Sequence, residues 1–244
     1  MVAGGGWSIL PYAGRRVKDF PLTHVSYAET MTPLLPPIEG LVFHPETHRY
    51  QLDGVWLNAS PTKVLSHDMS NEVKQRIEET RHEWEPRGNM VHNYLEQFLL
   101  GAAELNAGEY TDWTSPLRDC WLWKDATVYG VEMRLVDRKR RMAGSCDFLI
   151  KTARGTMVLG DLKTVSSIEA LKRRKPAEAQ LGAYLRMLNQ CYPSIHVERC
   201  VTVVAAPGET KVIASEPDVC SHEWEDAYEK WKAAQDVEHA CLGF

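Results

Sequence analysis

The reading turns on residues 143–164. Ala143-Gly144-Ser145-Cys146-Asp147-Phe148-Leu149-Ile150-Lys151 is followed, across a link through Ala153-Arg154-Gly155, by Thr156-Met157-Val158-Leu159-Gly160-Asp161-Leu162-Lys163-Thr164. Both runs are apolar and strand-like, and the link is short enough for a hairpin. Residues i and i+2 of a strand share a face, so Asp161 and Lys163 point together, and pairing of the two strands can bring Asp147 beside them. Adjacent carboxylates repel, and one of them tends to stay protonated unless a cation intervenes. A divalent ion removes that conflict, and hard oxygen ligands favour Mg²⁺ or Mn²⁺. The same triplet is also compatible with a plain salt bridge at a strand edge.

Outward from this hairpin, residues 127–136 (TVYGVEMRLV) read as a preceding strand, on which Glu132 is either a further acidic ligand or a sheet-edge charge. Residues 176–190 read as a helix with Leu181, Leu185 and Leu188 on its apolar stripe, and Gln180 and Tyr184 lie at i, i+4 on one face. Strands over 197–205 and 210–214 and a helix over 221–238 complete the C-terminal side. Upstream, 41–57 reads as a hairpin about Asp53-Gly54, and Ser60-Pro61 starts a short helix. A charged helix over 71–85 is expected to stop at Pro86. A second helix over 89–100 carries His92 and, one turn on, Glu96, before Gly101 ends it. The Trp-rich stretch after it reads as a loop. Residues 1–38, rich in Gly and Pro, read as an arm, and 39–244 as one α/β domain with a mixed central β-sheet flanked by helices.

Composition narrows the class. The chain has 244 residues, 44% hydrophobic and 25% charged, which is ordinary for a soluble globular protein. It contains no apolar run of membrane-spanning length, and its first residues lack the basic-then-apolar order of a signal peptide, so no membrane partner and a cytoplasmic location are expected. The net charge of −5 argues against indiscriminate polyanion binding, but the cations are locally dense over Arg138–Arg141 and Lys172–Lys175. Of these, Arg140, Arg141, Arg173 and Arg174 are the candidates for gripping phosphates. The six cysteines are scattered without a CxxC pair and read as small buried hydrophobes.

Four short motifs occur in order: Gly88-Asn89-Met90-Val91-His92, Gly144-Ser145-Cys146-Asp147, Gly160-Asp161-Leu162-Lys163-Thr164, and Gln180-Leu181-Gly182-Ala183-Tyr184. Together they resemble the PD-(D/E)XK nuclease superfamily, in its RecB-like and phage-exonuclease branch. The likeness covers roughly residues 41–215, including a lead-in from Thr47-His48-Arg49-Tyr50 to Ser60-Pro61-Thr62. It implies a restriction-endonuclease-like fold and a metal-dependent DNA exonuclease, hydrolysing phosphodiester bonds to leave 5′-phosphates in recombination, repair or phage DNA processing. It further implies that His92, Asp147, Asp161 and the Leu162 carbonyl hold one or two Mg²⁺ or Mn²⁺ ions. Lys163 would be the catalytic lysine, and Gln180 with Tyr184 would hold the substrate strand near its end. The cysteines are too dispersed for the iron–sulfur cluster of some relatives, so none is expected.

The partner implied is DNA, in the cytoplasm of a host cell if the gene is phage-borne. No P-loop is present, so unwinding would need a helicase partner. A strand-annealing partner and homo-oligomer formation are compatible with the same resemblance. An endonuclease or flap nuclease of the same fold is the first alternative. A catalytically silent nucleic-acid-binding module would show a broken ligand set. A zinc hydrolase built on His92 would want nitrogen-rich or sulfur ligands instead of carboxylates, and H-E-x-x-H is absent.

Overall fold

The computed structural model describes residues 34–242, with side chains over 34–237. Two sheets form. A three-stranded antiparallel sheet joins β1 (Leu41–His44), β2 (Arg49–Leu52) and β3 (Val55–Trp56). A five-stranded mixed sheet runs in the order β4 (Thr127–Asp137), β5 (Met142–Lys151), β6 (Met157–Thr164), β7 (Arg199–Ala206) and β8 (Glu209–Ser215). Only β6 and β7 pair in parallel, and the crossover between them is helical. Of the arm expected over 1–38, residues 1–33 lie outside the described residues. The Leu35 N–H donates to the Tyr129 carbonyl at 2.8 Å, so the described end of that stretch docks against β4.

Alternation along the strands sorts side chains to two faces of the large sheet. Leu149, Leu159 and Cys200 meet α6 (Glu178–Cys191) and α7 (Pro217–Leu242) in one core, through Leu181, Leu188 and Trp224. Phe148, Ile150, Val158, Leu162 and Val201 form the opposite core with Val91 and Leu95 of α3 (Arg81–Leu99) and Leu117 of α4 (Thr111–Arg118). The sheet is therefore covered by helices on both faces.

Two motif glycines are explained by close approach. A Cβ at Gly160 would sit 1.8 Å from the Phe148 ring, its cross-strand partner. A Cβ at Gly182 would sit 1.9 Å from the Cys220 carbonyl oxygen, where α6 and α7 touch backbone to side.

Near the N-terminal side, Ser60 caps α1 (Pro61–Leu65) by accepting the Lys63 N–H at 3.3 Å, as expected. The expected break at Pro86 is corrected. The first helix, α2 (Asn71–Glu79), ends at Thr80, and α3 runs unbroken through Pro86. Thr80 closes α2 by donating its hydroxyl to the Arg76 carbonyl at 2.9 Å, and its own carbonyl accepts the Glu83 N–H at 3.0 Å to open α3. Pro86 deprives only the His82 carbonyl of a donor, and both residues are exposed, so solvent can satisfy it. Gly101 ends α3 with φ +73, and the N–H groups of Gly101 and Ala102 bond back to Phe98 and Gln97. The expected Trp-rich loop instead contains α4 and a 3₁₀ turn at Trp121–Trp123. A further helix, α5 (Ile168–Arg173), also absent from the sequence reading, follows β6.

Because the atom facing Gly182 is backbone, it cannot rotate away. Gly182→Ala is expected to lower the unfolding free energy by at least about 2 kcal/mol through overpacking, measured by urea denaturation. An unchanged midpoint would show that α6 and α7 are not held at this separation.

Candidate metal centre

The register of the sheet builds the centre. The pairs Val131↔Phe148 and Met133↔Cys146 set Glu132 opposite Asp147, and Asp161 follows Gly160, whose partner Phe148 follows Asp147. Three carboxylates therefore lie in a row across β4, β5 and β6. Sheet alternation slips at this row: Met133 and Cys146 belong to the α6-side core, whereas Phe148 and Val131 pack in the opposite one. Glu132 has φ +46, the only non-glycine residue among those described that is left-handed within a strand; the others lie in turns. Such a conformation costs roughly 1–3 kcal/mol and needs surrounding structure to hold it.

His92 reaches the row from α3. Its Nδ1 lies 3.4 Å from Asp147 Oδ1 and 3.9 Å from Glu132 Oε1. One ligand atom each from His92, Glu132 and Asp147 fall within 4.8 Å of one another. The other Asp147 oxygen accepts the Leu162 N–H, which ties β5 to β6 at this point. Asp161 is 1% exposed; Lys163 Nζ donates to its Oδ1 at 2.9 Å and lies 2.7 Å from its Oδ2. Oδ2 is buried and takes no hydrogen bond of its own.

These neighbours set the charge states. Burial alone would drive the proton off His92, but Asp147 and then Glu132 outweigh it and push the imidazole up to about 10. Burial opposes charge on Asp147 as well, yet His92, Lys163 and the Leu162 N–H hold its carboxyl below the usual range. Asp161 goes the other way: burial first, with Asp147's charge adding, pushes it up to about 6 against the pull of Lys163. Two carboxylates one strand apart thus carry opposite shifts, a pattern found at functional sites.

The centre opens into a cleft of about 500 Å³, lined by Trp84, Gly88, His92, Glu132, Asp147 and Lys163 among others. A Cβ at Gly88 would meet nothing within 4 Å, so no packing demands glycine there. The donor set, one imidazole and the carboxylate oxygens of Glu132 and Asp147, is of the type that hard divalent cations take, with Asp161 adjoining and held by the Lys163 ammonium.

Other sequence candidates fall in different places. Leu162 lines the cleft and contributes its N–H to Asp147. Glu96 does not join the row; it faces a neighbouring cavity of about 310 Å³ shared with Glu132 and Arg134, and burial raises its pKa. Gln180 donates to the Tyr184 hydroxyl at 2.7 Å, and neither lines the cleft. A Cβ at Gly144 would stand 3.0 Å from the Pro61 ring and 3.1 Å from the Tyr184 ring, so a side chain there would crowd both. Burial first, then the charges of Asp161 and Asp147, push the Tyr184 phenol well up.

Arg141, Arg173 and Arg174 are exposed, and none makes an ion pair among the described residues. Arg140 is corrected: its guanidinium is bound by Glu225 and stacks 3.6 Å from the Tyr228 ring centre, so it holds the fold instead of facing solvent. Sequence reading missed Arg87, one residue before Gly88, and gave Thr164 no role. Adjacency to the two motifs was the available signal.

The raised His92 pKa makes a stability prediction with a definite sign. Its folded value of about 10 exceeds the unfolded value near 6.5. Its contribution is therefore complete below pH ~6.5 and lost as pH climbs towards 10. Chelator-treated protein should lose stability between pH 6.5 and 9.5, and His92→Gln should lose less over that window in thermal melts. Identical slopes for the two proteins would show that His92 is not held charged by the row.

No family model and no curated protein matches the chain. A solved structure described as "Crystal structure of SSO0001" aligns with a TM-score of 0.39 at 16% identity, covering 69% of this chain and 74% of that chain. A likeness that loose carries no argument about fold or function.

Proposed function

We propose that the protein is a metal-dependent DNA exonuclease with a restriction-endonuclease-like fold, hydrolysing phosphodiester bonds to leave 5′-phosphates. The observation that carries the reading is the carboxylate row of Glu132, Asp147 and Asp161, faced by His92 and adjoined by the Asp161–Lys163 pair, in an open cleft. Support also comes from the placement of the motifs: a helix with His92, a hairpin with Asp147, Asp161 and Lys163, and a following helix with Gln180 and Tyr184.

His92, Glu132 and Asp147, with Asp161 adjoining, would hold Mg²⁺ or Mn²⁺. Such an ion, when bound, supplies polarisation of the phosphoryl oxygen and a water of lowered pKa. The chain's own residues do the rest. Asp161 fixes the Lys163 ammonium at the cleft wall, where it can donate to a non-bridging phosphate oxygen as a water oxygen joins phosphorus. The bond to the 3′ oxygen breaks with its electron pair staying on that oxygen, and a water proton ends there to give the 3′-hydroxyl. Asp147, held ionised, keeps the donor set anionic through neutral pH. Arg141, Arg173 and Arg174 remain as salt-sensitive phosphate contacts outside the cleft. Action from a strand end, with Gln180 and Tyr184 near that end, rests on the motif resemblance.

The test is digestion of end-labelled linear and closed circular DNA with Mg²⁺, Mn²⁺ or EDTA, using wild type, Lys163→Ala and Glu132→Gln. Linear DNA alone should be degraded, only with metal. Lys163→Ala should lose roughly 10²–10³-fold in rate, the scale of removing one group that stabilises transition-state charge. Glu132→Gln should raise the metal concentration needed for half-maximal rate. Cutting of closed circles would replace exonuclease with endonuclease, and no cleavage under any metal would sink the nuclease reading.

A further inference from the structure

Arg87 is a half-buried cation that makes no ion pair among the described residues, with Tyr110 and then Glu83 favouring its charge only at longer range. It stands on α3 beside Gly88, and burial lowers its pKa, an unfavourable state for a guanidinium. Its Nε donates to the Thr164 hydroxyl at 3.4 Å, and its Cζ lies 5.8 Å from the Trp113 ring centre. Trp113 is fixed in turn by donating its indole N–H to the Val165 carbonyl at 2.7 Å. Among the described residues Arg87 makes no ion pair; its carboxylate neighbour Glu83, one turn back, acts only at longer range. Arg81, Arg140 and Arg186 on the same molecule all bind carboxylates.

A cation withdrawn from water and left unpaired is costly unless an anion completes the site. The position of Arg87 says which anion. Thr164 lines the metal-centre cleft and follows Lys163 directly, so the acceptor of the Arg87 bond is itself a cleft-wall group. With one lone pair taken by Arg87, the Thr164 hydroxyl keeps its O–H free to donate into the cleft. The two guanidinium Nη groups make no hydrogen bond among the described residues and match the fork that a phosphate oxygen pair accepts. Gly88, next to Arg87, leaves open space at the cleft where packing does not require it.

We infer that Arg87 and Thr164 form a clamp for a backbone phosphate of the nucleic-acid strand, next to the one lying at Lys163. This rests on the nuclease reading. Arg87 acts by positioning the strand and takes no part in breaking the bond.

The experiment compares Arg87→Gln, Arg87→Lys and Thr164→Val. Binding of a fluorescent single-stranded oligonucleotide is read by anisotropy across a salt series, in a Lys163→Ala background with Mg²⁺ so that the strand stays intact. Cleavage is read in the Lys163 protein. Arg87→Gln should weaken binding about tenfold and reduce the slope of log affinity against log salt by about one, as expected for one lost phosphate contact. In cleavage it should raise KM more than it lowers kcat. Arg87→Lys should restore the salt slope, since the charge returns, with only part of the affinity. Thr164→Val should weaken binding without changing the slope. A structural arginine would lower Tm when removed; this one should leave it unchanged or higher, because an unpaired half-buried charge is gone. Parental binding and slope in Arg87→Gln, with cleavage intact, would overturn the clamp alone. Absence of both binding and cleavage in the parent proteins would overturn the nuclease reading and the clamp with it.

Discussion

Repulsion among three carboxylates is the constraint on which this structure depends. Glu132, Asp147 and Asp161 stand on neighbouring strands, and like charges about 4 Å apart cost on the order of 4 kcal/mol even at an effective dielectric of 20. The fold answers with two cations, His92 from α3 and Lys163 from β6, and with the Leu162 N–H. Three negative charges against two positive leave a net −1 while His92 is protonated, and −2 when it is neutral. Helix α3, held across the sheet by the burial of Val91 and Leu95, brings His92 to this row. Glu132 joins the row in a left-handed conformation, within 3.9 Å of the His92 imidazole.

The opposite end of the β4–β5 hairpin shows the same chemistry resolved differently. Asp137 is fully buried, yet accepts the Arg140 N–H at 3.0 Å and the Arg186 Nε–H at 2.7 Å, and these partners outweigh burial to hold its carboxyl low. Arg186 also reaches Glu225 of α7 at 3.3 Å, and Arg140 closes the network. Asp137, Arg140, Arg186 and Glu225 partner one another, so the network pins α6 and α7 to the hairpin turn. Removing one member of such a network leaves an uncompensated charge, at a cost of about 3–5 kcal/mol. The end with the candidate centre instead retains net charge on its carboxylate row, beside an Arg87 that makes no ion pair among the described residues.

Periodicity made much of this legible. The strands over 127–215, the cap at Ser60 and the helix carrying Gln180 and Tyr184 follow from alternation, capping and apolar spacing. The proximity of Asp147, Asp161 and Lys163 follows from strand pairing, whereas the joining of His92 to them is implied only by the motif resemblance, its own spacing pairing it with Glu96 instead. Other features depend on partners far along the chain. Helix α4 is only eight residues with a proline inside, and it is held by the burial of Leu117 and Thr114 against the sheet. Nothing in its own spacing announces that. The fate of Arg140 is decided by Glu225, 85 residues away. The position of Glu132 comes from a backbone conformation that its residue type disfavours, so local propensity could only point elsewhere. Pro86 misled for a related reason: its cost depends on whether the carbonyl it orphans is exposed, which burial alone decides.

The charge distribution bears on the order of binding under the proposed reading. A phosphodiester entering the metal-free cleft meets a centre that already carries −1 or −2, so the centre itself repels it. That count already includes Lys163, whose charge is balanced by Asp161 while its ammonium keeps an N–H to donate. Arg87 can hold a neighbouring phosphate but does not neutralise the row. A divalent ion held by His92, Glu132 and Asp147 would bring a centre of −2 with neutral His92 to about zero and so remove that repulsion. On that reading the metal would be needed for the strand to enter as well as for the bond to break. Cations placed outside the row, on Arg87, Arg141, Arg173 and Arg174, would then set how firmly the rest of the strand is held.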